Sequence, residues 1–183
     1  MRDVVYSMSM SLDGYIVGPD GRFDWSVPGP EAFRAATQEV RGVGVHLLGR
    51  RLYETMVYWE HDDPTWEADE VEFAAIWRAL PKVVFSDTLR KVEGNTRLAQ
   101  WPLAEEIARL RSEPGGEIAI GGADLAADAA DLGLIDEYRL RIFPVLVGGG
   151  IPFFARHERR QDLRLVEQAT LDDSIAYLRY RVA

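Results

Sequence analysis

Two short segments of this 183-residue chain join an apolar run to a helix-forming stretch through glycine, and both could hold an anion. The first is LLGRRLYETM at residues 47–56; the second is IAIGGADLAADAADLG at residues 118–133. The first amides of a helix have no partner within it and lie at the positive end of its dipole, so an anion fits there without a dedicated side chain. Gly49 lets the backbone approach a ligand, while Arg50 and Arg51 add fixed positive charge. Gly121 and Gly122 open the second helix, so the amides of Ala123, Asp124 and Leu125 face outward. Each motif also has a plainer reading, the glycine pair as a turn and the arginine pair as solvated surface. Two such corners on one sheet meet the needs of a dinucleotide diphosphate. No GxGxxG follows the first strand, which excludes the usual Rossmann arrangement.

The elements that must position these corners are legible from periodicity. Val4, Tyr6, Met8 and Met10 alternate with smaller residues, predicting a strand that ends at Asp13-Gly14. Residues 11–30 carry too many glycines and prolines for regular structure, yet include Tyr15, Phe23 and Trp25, so they read as a packed or ligand-covering loop. Helix is expected over 31–41, 67–80, 103–111 and 123–132, and from near Gly49; in the second of these Val71, Ala74, Ala75 and Trp77 form the apolar side. Short strands are expected at 43–48, 82–86 and 117–120. That alternation implies an α/β domain with a largely parallel central sheet and flanking helices. The tail differs, with three consecutive strand patterns at 138–143, 163–170 and 175–181 that favour an antiparallel edge. No repeat or linker divides the chain, so residues 1–183 read as one domain.

Composition narrows the classes of function. Thirty acidic residues against 21 basic ones, with no basic run longer than Arg50-Arg51 or Arg159-Arg160, argue against a nucleic-acid partner. With no cysteine, thiolate catalysis, disulfides and cysteine metal sites are excluded. No leader-like start and no apolar run of membrane-spanning length is present, so the expectation is a cytoplasmic protein without a membrane partner. His46, His61 and His157 lack metal-ligand spacing, and His46, inside an apolar strand, reads as a buried, satisfied side chain. No metal is expected.

The motifs SMSLDGYIVGPDG, LLGRRLYETM, KVVFSDT, IAIGGADL and FPVLVGGGIPFF, in that order, resemble dihydrofolate reductase and, more closely, the reductase domain of the riboflavin-biosynthesis deaminase-reductases. The resemblance spans nearly the whole chain and implies a single-domain dihydrofolate reductase-like fold, an NADPH-dependent reductase and a symmetric homodimer built through the C-terminal strands. It implies that Gly49, Arg50 and Arg51 hold phosphates and that Ser86 lies near the adenosine 2'-phosphate. Gly121 and Gly122 would lie under the diphosphate, joined by a cis peptide, and Val17 and Gly18 would belong to the loop over the nicotinamide. Asp87 opposes the 2'-phosphate, whereas Arg50, Arg51, Arg90 and Lys91 favour it.

On the substrate side the expected residues are Trp25, Phe33, Gly150 and Phe153. Asp24, Glu31 and Tyr53 are the possible proton donors, each with a structural alternative: a turn residue, a first-turn acid and a core-edge aromatic. Hydride transfer asks little of the protein beyond orientation and a dry pocket. Besides Asp87, two departures from dihydrofolate reductase stand out. The pterin-binding acid is out of register, with Glu31 the nearest candidate, and Gly150-Ile151-Pro152-Phe153 replaces Gly-Asp-Thr and an aromatic. Residues 59–64 (WEHDDP) lack calcium-site spacing and resemble a segment of the riboflavin reductases. The leading expectation, from the resemblance, is an NADPH-dependent reductase of a small heterocycle or its ring-opened ribityl precursor, most like the 5-amino-6-(5-phosphoribosylamino)uracil reductase of riboflavin biosynthesis. Dihydrofolate reduction is the alternative enzyme, and a non-catalytic nucleotide-binding protein the alternative class.

Overall fold

The computed structural model describes residues 1–154 and 160–183, so His157 and Arg159 lie outside the described residues. Among the described residues there are ten strands: β1 (Val4–Ser11), β2 (Tyr15–Val17), β3 (Val43–Gly49), β4 (Lys82–Phe85), β5 (Thr96–Leu98), β6 (Glu117–Gly121), β7 (Glu137–Phe143), β8 (Ile151–Pro152), β9 (Leu163–Leu171) and β10 (Ile175–Val182). The helices are α1 (Pro30–Gly42), α2 (Arg50–Met56), α3 (Ala68–Ala79), α4 (Leu103–Ser112) and α5 (Ala123–Asp131). Eight strands form one sheet in the order β5-β4-β3-β6-β1-β7-β10-β9, parallel from β5 to β7 and antiparallel at β7-β10-β9. This is the α/β architecture that the alternation of strands and helices implies.

Connectivity decides where a ligand can bind. From β1 the chain moves by α1 to β3, toward the β5 edge; from β6 it moves by α5 to β7, toward the other edge. β1 and β6 are neighbours, so the direction of winding reverses between them, and their carboxyl ends open a crevice. The opposite windings place α1, α2 and α3 on one face of the sheet and α4 and α5 on the other. Leu48, Tyr53, Phe73, Trp77, Leu80 and Val84 form the core of the first face. Val4, Tyr6, Leu47, Ile107, Ile120 and Ala129 belong to the core of the second.

Two local readings are corrected. In α3 the buried stripe is Phe73, Ala74 and Trp77, whereas Val71 and Ala75 face solvent, because the large aromatic rings decide which side of the helix the core takes. The loop after β1 contains regular structure: β2 pairs antiparallel with β8, and residues Asp24–Ser26 form a 3-10 turn. Gly150 makes that ribbon possible. Its φ is +114°, and a Cβ there would lie 2.0 Å from the Val17 carbonyl oxygen.

Candidate functional site

The two glycine corners meet. Leu48 pairs with Gly121 in the β3-β6 register, which carries Gly49 beside Gly122. A Cβ on Gly122 would lie 3.4 Å from the Gly49 amide nitrogen, and one on Gly49 would lie 3.9 Å from Gly122 Cα. Gly122 has φ +98°, a left-handed conformation that glycine alone adopts readily. No cis peptide occurs among the described residues, so the cis Gly121-Gly122 bond implied by the resemblance is absent, and the turn is made at Gly122 instead. Gly121 has a packing role of its own: a Cβ there would lie 2.4 Å from Leu52 Cδ2 and 3.1 Å from His46 Nε2.

Neither α2 nor α5 has a side-chain N-cap, so the Ala123, Asp124 and Leu125 amides of α5 are left for another partner. Leu125 turns its side chain into the core and Asp124 is exposed. The two arginines differ. Arg50 Nη1 lies 3.1 Å from Glu54 one turn along α2, whereas Arg51 is exposed and has no counter-ion among the described residues. Ser86 follows β4, and its Oγ accepts hydrogen bonds from the Thr88 and Leu89 amides at 3.2 and 3.1 Å, so it shapes the loop that leads to Asp87, Arg90 and Lys91. This corner fits a nucleotide diphosphate: free amides, backbone bare of Cβ atoms and one uncommitted guanidinium share one end of the sheet.

On the other side of the crevice, Asp13 ties the end of β1 to the loop after β7. Its carboxylate accepts from Ser11 Oγ at 2.6 Å, Gly148 N at 2.7 Å and Val147 N at 3.2 Å, with the Ser11 bond first in holding its pKa below the usual carboxylate range. Val17 and Gly18 lie on the β2 side of Gly150, and Gly18 N donates to Arg22 O at 2.8 Å. The indole of Trp25 packs edge-on against Phe143 at 6.2 Å, and its Nε1 is buried without a hydrogen-bond partner among the described residues. Phe33, on α1, meets Trp59 at 6.2 Å and Phe73 at 5.6 Å, forming an aromatic wall between α1 and α3.

The structure disperses the other expected residues. Phe153 is 2% exposed, with its ring 4.4 Å from that of Tyr6, so it is core and not pocket wall. Tyr53 is buried on the α3 side of the sheet, and its hydroxyl accepts from the Glu93 amide at 2.8 Å. Asp24 is exposed and paired with Arg22 at 2.6 Å. Glu31 turns toward the β9-β10 connection, where its Oε2 accepts from the Asp172 amide at 2.8 Å. Sequence spacing could not find Asp172, because the contact spans 141 residues. In the 59–64 segment the acids are engaged as well: Glu60 pairs with buried Lys82 at 3.1 Å, Asp62 with Arg78 at 2.8 Å, and Asp63 Oδ1 accepts from Thr65.

His46 lies beneath the Gly121 corner, between Trp77 and the strand neighbour Lys82. Its Nδ1 is buried and has no partner among the described residues, so the imidazole is not the satisfied side chain expected from its strand. Burial first, and then the nearby ammonium of Lys82, push its pKa down from 6.5 to about 4. The unfolded chain therefore binds the proton more readily than the native one between these values, and stability falls as pH drops from 6.5 toward 4. The loss from this group approaches about 3 kcal/mol. Urea unfolding at pH 7 and pH 5 should show it, and His46→Leu should flatten the difference. An unchanged pH slope in that variant would assign the effect to other groups.

The sequence profile of the RibD C-terminal domain family matches residues 2–177. The chain belongs to the RibD C-terminal domain family. A Shewanella sp. PV-4 protein provisionally assigned to riboflavin biosynthesis is 27% identical and superposes with a TM-score of 0.77, covering 100% of this chain and 99% of that one. The Thermotoga maritima diaminohydroxyphosphoribosylaminopyrimidine deaminase/5-amino-6-(5-phosphoribosylamino)uracil reductase has a TM-score of 0.66 at 16% identity; the match covers 100% of this chain and 57% of that one. Enterococcus faecalis dihydrofolate reductase, solved with NADP(H), has a TM-score of 0.62 at 14% identity, covering 98% and 96% of the two chains. At those last two identities the likeness shows the fold, which is dihydrofolate reductase-like. Among the described residues no helix is long and apolar enough to cross a membrane.

Proposed function

We propose that this member of the RibD C-terminal domain family is an NADPH-dependent reductase that delivers hydride to a small heterocycle or its ring-opened ribosyl-phosphate relative. The observation that carries this reading is the meeting of Gly49 and Gly122 at the ends of β3 and β6, next to the reversal point between β6 and β1, beside the uncapped start of α5 and Arg51, which has no counter-ion among the described residues. Arg51, with Arg50 and Ser86 nearby in the same end of the sheet, would take the nucleotide phosphates, and the Ala123, Asp124 and Leu125 amides the diphosphate. Val17 and Gly18, on the ribbon held by Gly150, would cover the nicotinamide side. Bound NADPH would supply the hydride, so the chain's own work is to orient and to exclude water. Glu31 and Tyr53 are committed to Asp172 and Glu93, and Asp24 to a surface ion pair, so the accompanying proton is drawn from solvent.

Charge at the corner sets the nucleotide preference. A charge-assisted hydrogen bond contributes about 1.5–3 kcal/mol, so Arg51→Ala should weaken NADPH roughly tenfold or more and NADH less. Arg50→Ala should cost less, since Glu54 already partners it. Titration of reduced-nucleotide fluorescence checks both variants, and equal affinity of the unmodified protein for NADPH and NADH would sink the assignment.

The C-terminal edge supports a homodimer. All of β9 except Leu171 is exposed, and its Leu163 and Leu165 pair with Val182 and Tyr180 of β10, leaving an uncovered apolar face beside an open strand edge. A second copy would cover both. Light scattering should report a dimer at micromolar concentration; a monomer would count against it.

A further inference from the structure

The N-terminus of α1 is built differently from that of α5. Pro30 has no amide hydrogen to satisfy, and the Phe33 amide already bonds Gly29 O at 3.0 Å. The two amides between them are taken by one side chain from the far end of the chain. Asp172, in the β9-β10 turn, accepts from Glu31 N at 2.9 Å through Oδ1 and from Ala32 N at 3.0 Å through Oδ2. Glu31 returns the bond, its carboxylate accepting from the Asp172 amide. This is the logic of a capping box, made between segments 141 residues apart.

The surroundings accommodate this contact at some cost. A Cβ on Gly29 would lie 2.5 Å from Asp172 Cγ, so glycine is needed for the approach. Asp172 and Asp173 have φ of +47° and +59°, a left-handed backbone that side chains other than Asn and Asp adopt with difficulty. A second tie holds the same helix further along: Tyr177 Oη donates to Glu39 at 3.0 Å, and Arg141 approaches Glu39 at 2.7 Å. Between the two ties, Ala32, Phe143, Leu171, Ile175 and Tyr177 form a closed apolar cluster, with Trp25 packed on it.

We propose that Asp172 is a positioning residue: with Glu31 it latches the C-terminal hairpin to α1 and so fixes Phe33 and Trp25 on the substrate side of the crevice. The substrate-side role rests on the reductase reading above, whereas the latch itself does not. Asp172 touches neither glycine corner, so it acts on the substrate half of the site and leaves the nucleotide half alone. Glu31 is thereby a structural partner and not the proton donor.

Hydrogen exchange of the ligand-free protein, NADPH titration and turnover of 5-amino-6-ribosylaminouracil 5'-phosphate test this together. Asp172→Ala should speed exchange of the Glu31 and Ala32 amides roughly tenfold or more, leaving residues 123–131 protected as before and NADPH affinity within about twofold. KM for the aminouracil should rise about fivefold or more with little change in kcat. Glu31→Gln should follow the same KM pattern with the pH profile of kcat unmoved, and the double variant Glu31→Gln/Asp172→Asn should cost less than the sum of its parts. Unchanged exchange at α1 would overturn the latch, and freed α1 amides with an unchanged KM would overturn the positioning role. A collapse of kcat in Glu31→Gln with α1 still protected would make Glu31 the proton donor and overturn the assignment. If the unmodified protein binds no NADPH, the reductase reading falls, and the exchange experiment still decides whether the latch exists.

Discussion

Gly122→Val should lower NADPH affinity by roughly a hundredfold or more, beyond the backbone strain it adds, because about two charge-assisted contacts of 1.5–3 kcal/mol each would be lost. Gly122 has φ +98°, and its missing Cβ leaves the approach to the Gly49 amide open. A β-branched side chain there is strained and projects into the space that a diphosphate would share with the first amides of α5. The neighbouring glycine provides the contrast. At Gly121 a Cβ would strike Leu52 and His46 inside the protein, so Gly121→Val should cost folding stability before any question of binding arises. Thermal unfolding and nucleotide titration on both variants separate the two effects. A Gly122→Val protein that binds NADPH normally would show that the pair is a helix-opening turn and nothing more.

The two glycine corners were legible in the sequence because each is local. A glycine between an apolar run and a helix is visible in ten residues, and the alternation of strands and helices implies a parallel sheet, whereas the β3-β6 register that sets Gly49 beside Gly122 is a long-range pairing shown only by the structure. The surroundings of Glu31, Phe153 and Tyr53 were not legible, because their contacts are long-range. Glu31 looks like a first-turn acid free to meet a ligand until the hairpin turn, 141 residues later, delivers Asp172 against it. Phe153 looks like the aromatic of a pocket wall until the β2-β8 ribbon folds it onto Tyr6. Tyr53 is similar: its position on α2 is local, but whether its hydroxyl faces the crevice depends on the loop that brings the Glu93 amide to it. Gly150, named on the substrate side from its motif, is glycine because the Val17 carbonyl oxygen occupies the place of a Cβ, another contact that no local pattern shows.

The same long-range contacts set the outcome with dihydrofolate. A site that hydrogen-bonds a buried ring nitrogen through an acid discriminates by factors of about 10⁴ in favour of ligands that meet it, and a site without that acid loses the advantage. Here the first-helix acid is turned onto the hairpin, and the residue facing α3 from the same helix is Phe33, packed among Trp59 and Phe73. Where a threonine hydroxyl would orient such an acid, Ile151 and Pro152 form β8, and proline there has no amide hydrogen to offer a ligand. Gly148 and Gly149 have no close neighbours and leave open backbone along this side of the site, whereas at Gly150 the Val17 carbonyl oxygen fills the place of a Cβ. Dihydrofolate turnover is therefore expected to be slow or absent, and 5-amino-6-ribosylaminouracil 5'-phosphate to be the better substrate. Loss of absorbance at the reduced-nicotinamide band, followed for each compound at matched concentrations, checks the order. Efficient dihydrofolate reduction with no activity on the aminouracil would reverse it and would require an acid other than Glu31 at the ring. Activity on neither, with NADPH still bound, would keep the nucleotide corner and move the substrate to another small heterocycle or carbonyl compound that the aromatic wall of Phe33 and Trp59 can stack.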